Sequence, residues 1–382
     1  MNLSIILQLL FWFAVFLIFW AYFGYFLTLK LISLVYTYRV HKEDTLPNVS
    51  LVITAYNEEI RIQHKLENTL ALDYPKEKLE VIVVSDASTD RTDEIVKSFA
   101  NSGVKLLVMP KRYGKHYGQG RGIQHTSNEL VVLSDATTFL APDAIRKISS
   151  SFADPAIGCV SGQDRIDSGE DKSQGEGVYI RYEMMLRELE SKVGSLVGVS
   201  GSFFAIRKSL CNEWINNMSS DFYMPILAKR RGFRTVSEPL AIGTYKVLHD
   251  NKKEFTRKVR TVVHGLEVLF WFKSILNPFK YGFYSLQMFS HKLCRWFVPF
   301  CMIIVLATNL LLLNHGLIYS FALILQLLFY MIVTVGFLFK QLQKYSLVRF
   351  PVFFAMVNSS IIVAWYKYMT NQKYLVWDAT KR

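Results

Sequence analysis

The chain has 382 residues, with 44 Lys+Arg against 31 Asp+Glu for a formal charge of +13, and it is 51% hydrophobic and 14% aromatic. That apolar and aromatic content excludes an intrinsically disordered chain, and its pairing with strong basicity does not fit an ordinary soluble enzyme. The apolar residues gather at the two ends, the pattern of a membrane protein with a soluble middle. Cys159, Cys211, Cys294 and Cys301 lack CxxC or Cys/His ligand spacing, so they read as reduced and structural rather than as a disulfide framework or zinc site.

Leu3 to Leu29 carries no charged residue and is long enough to cross about 30 Å of hydrocarbon. The basic start, short apolar core and small-residue cleavage site of a signal peptide are missing, so residues 1–36 read as a transmembrane anchor. Lys30, Arg39, His41 and Lys42 follow it, and the positive-inside rule then puts the middle of the chain in the cytoplasm.

Residues 47–250 form one α/β domain of ordinary size. Val49–Thr54, Val81–Val84, Lys105–Val108 and Glu129–Leu133 are strand-like, and Glu58–Leu72 and Asp90–Ala100 are helix-like. Apolar β-branched runs between helices predict a parallel sheet covered on both faces, with ligands at the carboxyl ends of its strands. Those ends carry Tyr56 and Glu58, then Asp86 and Asp90, then Asp135 and Thr137. No GxxxxGK[ST] loop is present and no GxGxxG follows the first strand. Carboxylates in such positions hold a ribose, a base edge or a divalent metal that shares substrate phosphates, so a nucleotide-diphosphate site with bridging Mg2+ or Mn2+ is the economical reading.

Farther on, residues 251–282 mix Lys and Arg with Phe, Trp, Leu and Val, the composition of an amphipathic helix on the inner membrane face or of a solvated charged helix. Residues 283–382 hold the C-terminal membrane region. Trp296–Leu313 and Leu317–Phe339 form a hairpin around Asn314–Gly316, and Phe350–Tyr366 either spans or is re-entrant. Basic residues on both sides of this last stretch leave the side of the tail open.

With these residues in view, the chain resembles the membrane-anchored family 2 glycosyltransferases of GT-A (Rossmann-like) fold, the group of cellulose, chitin and hyaluronan synthases and bacterial exopolysaccharide and capsule transferases. The resemblance runs from about Pro47 to Gly265. Val52–Glu59 resembles the family's opening strand and nucleotide-binding turn, Ser85–Asp90 its D-x-S-x-D segment, and Gly114-Lys115 its GK region. Ser134–Thr137 stands where the family has its D-x-D metal motif, Ser219–Phe233 where the catalytic base lies, and Arg257–Arg260 where relatives have Q-x-x-R-W.

The resemblance implies an inverting hexosyltransferase with a nucleotide-sugar donor, UDP-sugar being the expected class. Asp221 is the implied base, and Asp135 the metal ligand for Mg2+ or Mn2+, with His249 as an auxiliary ligand. Tyr56, Glu58, Asp86, Lys115, Arg257 and Arg260 are the implied substrate contacts, the two arginines one helical turn apart and facing the same phosphates. Each also has a bland reading: a helix N-cap for Asp221 or Asp90, a core ring for Tyr56, a loop cation for Lys115, a lipid-headgroup contact for Arg257. Gly198–Ser202 places backbone near donor or acceptor, or marks a tight turn.

The departures are specific. The metal motif reads Asp135-Ala136-Thr137 and lacks its second acid, Ser220 replaces the acid before the base, and Arg257 and Thr261 replace the family's Gln and Trp. Loss of that tryptophan weighs against a long-chain polymerase, while Trp377–Arg382 resembles a tail motif of capsule-type relatives. The expected activity is transfer to a lipid-linked or growing exopolysaccharide or capsule chain at the cytoplasmic membrane face. A processive synthase with coupled export is the enzyme alternative, and a membrane scaffold with a decayed transferase domain the non-enzyme one. A transporter is disfavoured because the apolar runs carry no buried acid or base. Membrane lipid accounts for the cations near the spans, so no nucleic-acid partner is expected.

Overall fold

The computed structural model of the chain describes residues 3–167, 174–246 and 251–372. His249 and the Trp377–Arg382 motif lie outside them. The soluble middle is built on one eight-stranded sheet: β1 (Val49–Ala55), β2 (Leu79–Ser85), β3 (Val104–Val108), β4 (Leu130–Asp135), β5 (Phe139–Leu140), β6 (Ile157–Asp167), β7 (Phe203–Arg207) and β8 (Arg234–Lys246). The spatial order is β3-β2-β1-β4-β7-β6-β8-β5. β1, β2, β3 and β4 run parallel, so the strand ends chosen from sequence share one edge. β7 runs antiparallel to β4 and β6, and β5 antiparallel to β8, so the sheet is mixed where the first half of the sequence had predicted a parallel one.

All seven residues of β1 are buried. Their alternation feeds two cores, as a sheet covered on both faces requires. Val49, Leu51 and Ile53 pack with Ile62, Leu66 and Val96 from the Ile62–Leu70 and Thr92–Ser98 helices. Val52 on the other face joins a core that includes Leu266 and Leu269 of the Asn251–Trp271 helix and Trp296 and Ile361 of membrane-region helices. One face of the sheet therefore shares its core with the C-terminal apolar helices. Gly265 allows the closest approach there, since a Cβ at that position would lie 2.6 Å from the Trp296 ring. The 251–271 helix, expected to run on to Phe279, stops at Trp271 and packs against the Ser346–Met369 helix.

Among the described residues, four helical segments are long and apolar enough to cross a membrane: Leu3–Val35, Phe283–Leu311, Leu317–Leu338 and Ser346–Met369. The last is a continuous 24-residue helix rather than a marginal stretch. The second begins at Phe283, before the apolar run that opens at Trp296, and therefore contains buried His291 and Arg295. This corrects the expectation that no spanning segment holds a buried ionisable group.

Those residues have partners. Arg295 Nη1 donates to Glu183, His291 lies 2.8 Å from Glu190 and 3.2 Å from Glu183, and Tyr25 donates to Glu190 at 2.7 Å. Glu183 and Glu190 belong to the Gln174–Val193 helix. Burial alone would push the Glu183 carboxyl up, but Arg295 and His291 hold it well below the usual carboxylate range. Breaking such a network leaves a buried charge unpaired, which costs about 3–5 kcal/mol. Arg295→Met should lower unfolding stability by about that amount, and the double variant Arg295→Met/Glu183→Gln should recover part of the loss. Denaturant titration of the detergent-solubilised protein reads both.

Candidate active site

The strand ends meet under strain. Asn57 after β1 has φ +51° and Ala87 after β2 has φ +57°, both unusual for residues with a side chain. They are held by cross-bonds: Thr89 N donates to Asn57 Oδ1 at 2.8 Å, and Glu58 N donates to Thr92 Oγ1 at 2.8 Å. Asp90 accepts from the backbone of Glu59 and Thr92, which is the turn-stabilising role open to it from sequence.

Asp86 is buried at 6% exposure, and its two oxygens accept the backbone N–H groups of Tyr113 and Gly114, each at 2.8 Å. Its carboxylate thus shapes the turn before Lys115, with Gly114 at φ +95°, a backbone glycine tolerates. Tyr56 is half-buried rather than a core ring, and the Arg112 guanidinium lies 3.9 Å from its ring centroid. Glu58 does not reach the site surface. It is 1% exposed and forms an ion pair with Arg61 at 2.9 Å, one helical turn away.

Lys115, at the start of the Lys115–Gln124 helix, donates to Gly201 O at 2.8 Å and pairs with Asp135 Oδ1. The Gly198–Ser202 loop joins this pair to the candidate base. Asp135 N donates to Ser202 O at 3.0 Å, Val199 N to Asp221 O at 2.8 Å, and a Cβ at Gly201 would lie 3.1 Å from Asp221 Oδ2. Asp221 sits in the first turn of the Ser220–Arg230 helix, where the helix dipole favours a carboxylate. Ser219 is the N-cap residue, and its hydroxyl donates to Asp221 Oδ1. Asp221 therefore does not cap its helix, and it lines an open cavity with Gly198, Val199 and Ser219.

Arg257 also lines that cavity, held bidentately by Glu254 at 2.7 Å from Nε and from Nη2. Arg260 does not line it. Successive helical residues turn by about 100°, so three positions put the two arginines about 60° apart. The lining residues Lys258, Thr261, Val262 and Gly265 all lie on the far side of Arg257 from Arg260. The expected convergence of both arginines on one set of phosphates is not realised.

Three groups were missed from sequence. Asp164 on β6 accepts from Ser200 and Ser202, each at 2.6 Å, and lines the Asp221 cavity. His116 is half-buried beside Ser220, and desolvation first, then Lys115 and His264, lower it to about 3 against the pull of Asp221. Lys65 is 0% exposed, and its ammonium donates to Ser134 Oγ at 2.9 Å and to Thr138 O beneath the Asp135 turn. Its place was legible, because Ile62, Leu66 and Thr69 mark that side of the helix as the buried one.

Among the described residues no cluster of three or more His, Cys, Asp or Glu side chains is placed to hold a metal ion. Asp135 offers one carboxylate. That suffices for a hard cation which takes its other ligands from donor phosphates and water, so the residues present fit such an ion.

A parallel half-sheet with acids at its strand ends, joined to a mixed half in which β6 and β8 pair in parallel and β7 runs antiparallel, is a GT-A-like α/β architecture. Residues 50–215 match the family model described as Glycosyl transferase family 2. A poly-beta-1,6-N-acetyl-D-glucosamine synthase of Staphylococcus aureus is 29% identical over 59% of this chain and 56% of its own length. The Staphylococcus epidermidis protein of the same name is 27% identical over 69% of this chain and 66% of its own. The chain thus spans somewhat more than half the length of these curated relatives. Among solved structures, a mannosyltransferase from Pyrobaculum calidifontis in complex with GDP-Man and Mn2+ superposes with a TM-score of 0.74, covering 96% of this chain and 100% of that one at 21% identity. That likeness extends the fold through the membrane helices.

Burial pulls the Lys65 ammonium down to about 7 from an ordinary 10.5, while the Asp135 carboxylate pulls it up. The unfolded chain therefore holds a proton that the folded one releases, and stability should rise as pH increases from about 7 towards 10.5. Lys65→Met should flatten that rise, read as thermal midpoints across the window. A slope unchanged in the variant would show that Lys65 is not the group responsible.

Proposed function

We propose that the protein is an inverting glycosyltransferase that moves a sugar from a nucleotide-diphosphate donor to an acceptor hydroxyl at the cytoplasmic membrane face. The observation that carries the reading is the Gly198–Ser202 loop, which ties the Lys115–Asp135 pair to Asp221 through direct hydrogen bonds and close approach. Asp221 takes the proton of the acceptor hydroxyl as that oxygen attacks the anomeric carbon. The bond from that carbon to the donor diphosphate breaks, and its electron pair leaves with the nucleotide. Lys115 meets the leaving diphosphate as a cation already in place, and the Ser219 hydroxyl holds the Asp221 carboxylate in position.

Tyr56 and the turn fixed by Asp86 hold the nucleoside end. A divalent cation, Mg2+ or Mn2+, held by Asp135 together with donor phosphates supplies further positive charge against the leaving group. The GDP-Man and Mn2+ of the Pyrobaculum calidifontis enzyme support a nucleotide-sugar donor and a divalent ion. UDP-sugar is the donor class that the staphylococcal relatives' product, a polymer of N-acetylglucosamine, makes natural. The acceptor on this reading is lipid-linked or a growing polysaccharide chain. The name of those relatives also favours a second reading, processive synthesis with export.

Nucleoside diphosphate release from a panel of nucleotide sugars, in nanodiscs with membrane lipid extract, tests the proposal. Asp221→Asn should lower kcat by about 10²–10⁴-fold with little change in donor KM, and EDTA and Asp135→Asn should each suppress release. Release indifferent to both aspartates would overturn the assignment. Product length on gels separates single transfer from processive synthesis.

A further inference from the structure

We infer that the acceptor is a phosphate-bearing lipid that enters sideways from the membrane, its headgroup in the Asp221 cavity and its apolar chain in an aromatic groove between membrane helices. This deepens the function proposed above and rests on it. The Asp221 cavity has a volume of about 310 Å³ and reaches from Asp221 to Tyr22, Tyr179 and Val357. These three side chains also line a second cavity of about 330 Å³. Its other walls are aromatic, with Phe350, Phe353 and Phe354 on one side and Phe23 and Tyr182 on the other. Phe23 is 62% exposed and Phe350 39%, so the groove opens outward on the flanks of two helices apolar enough to span a membrane. The Lys258 ammonium stands at the junction, 5.3 Å from the Tyr179 ring and 5.2 Å from that of Phe353.

The charge of the inner cavity identifies the headgroup. Arg187, Arg257, Lys258, Lys292 and Arg295 line it, against Asp164, Glu183 and Asp221. Arg257 and Lys258 are paired with Glu254, and Arg295 with Glu183. Two cations remain over. Arg187 Nη1 is buried with no hydrogen-bond partner among the described residues. Lys292 makes no ion pair there, and its ammonium lies 5.4 Å from the Phe222 ring. Buried unpaired cations are costly, and an anion that accepts from both removes the cost. Phosphate oxygens suit a guanidinium fork and an ammonium together.

Lys292 also lies close to the base. A Cβ built at Gly198 would be 3.5 Å from Lys292 Nζ and 3.8 Å from Asp221 O. A phosphate bound at Lys292 therefore brings a hydroxyl on the attached head sugar towards Asp221. Transfer then proceeds as proposed above, with that hydroxyl as the attacking oxygen. A neutral polysaccharide chain would leave both cations unpaired, and a soluble anion would leave the aromatic groove empty.

Full-length protein in detergent is titrated with farnesyl phosphate, farnesol and inorganic phosphate, and binding is read by native mass spectrometry. Farnesyl phosphate should bind at least tenfold more tightly than either of the others. Lys292→Met and Arg187→Met should each weaken it at least tenfold, with Lys292→Arg restoring most of the loss and so excluding misfolding. Asp221→Asn should keep farnesyl phosphate binding while it loses sugar transfer. Farnesol binding as well as farnesyl phosphate, or phosphate binding as well as the lipid, would overturn the inference. Donor-dependent diphosphate release in the same preparation distinguishes failure of this inference, in which release persists, from failure of the transferase reading, in which release is absent for every donor.

Discussion

The fold turns on two buried carboxylates of one helix. Glu183 and Glu190 project from the Gln174–Val193 helix into the meeting point of the first two membrane-region helices, where they are met by Tyr25, His291 and Arg295. Spanning helices gain little from apolar contact with each other, because lipid offers the same contact, so polar pairs and close packing set their arrangement. Unpaired, these charges would be prohibitive to bury; paired, they fix the position of each helix relative to the catalytic domain. Further bonds follow the same seam, from Trp20 to Ser290 and from Tyr182 to the Tyr22 carbonyl.

The cavity beside Asp221 is a consequence of that seam. Glu183, Arg187 and Glu190 are spaced i, i+4 and i+7, so they share one helical face. The two glutamates are consumed in holding the membrane helices, which leaves Arg187 between them, half-buried, with its unpartnered Nη1 buried and its side chain lining the cavity. The opposite wall comes from the Asn251–Trp271 helix, and Glu254 fixes its cations Arg257 and Lys258 before any ligand arrives. On the functional reading proposed here, acceptor recognition is thus pre-organised by pairs that belong to the fold, and the ordering cost is met during folding rather than binding.

The strand runs that build β1 to β4 were legible because buried parallel strands read as continuous apolar β-branched sequence, and the acids at their ends followed from the topology of such sheets. The mixed half was not. β6, β7 and β8 interleave segments far apart in sequence, and their order is settled by tertiary pairing. The start of the second spanning segment was missed for a related reason. Ser290, His291 and Arg295 look like a polar flank until their partners on distant helices are seen. Arg260 shows the opposite fault: it stands one helical turn from Arg257, yet only Arg257 lines the cavity. Glu58 and Asp86 illustrate a further limit: composition marks an acid near a site, but only coordinates show whether its oxygens remain available or are spent on Arg61 or on a turn.

The altered metal motif changes how Asp135 is to be understood. With Thr137 in place of a second acid, one carboxylate stands between two lysines, Lys115 paired with it in the site and Lys65 buried beneath. Before any donor or cation is present, the pocket floor is therefore positive rather than negative, a balance that already favours a diphosphate. Lys65 is also near its titration point at neutral pH and is kept protonated partly by Asp135. On the proposed reading, neutralising Asp135 removes two things together, the residue that would hold a divalent ion and a support for the charge on Lys65. Loss of activity on that change alone cannot be equated with loss of metal. The effect of chelation on the unaltered chain isolates the ion, and the difference between the two measures how much of the electrostatic work falls to the lysines.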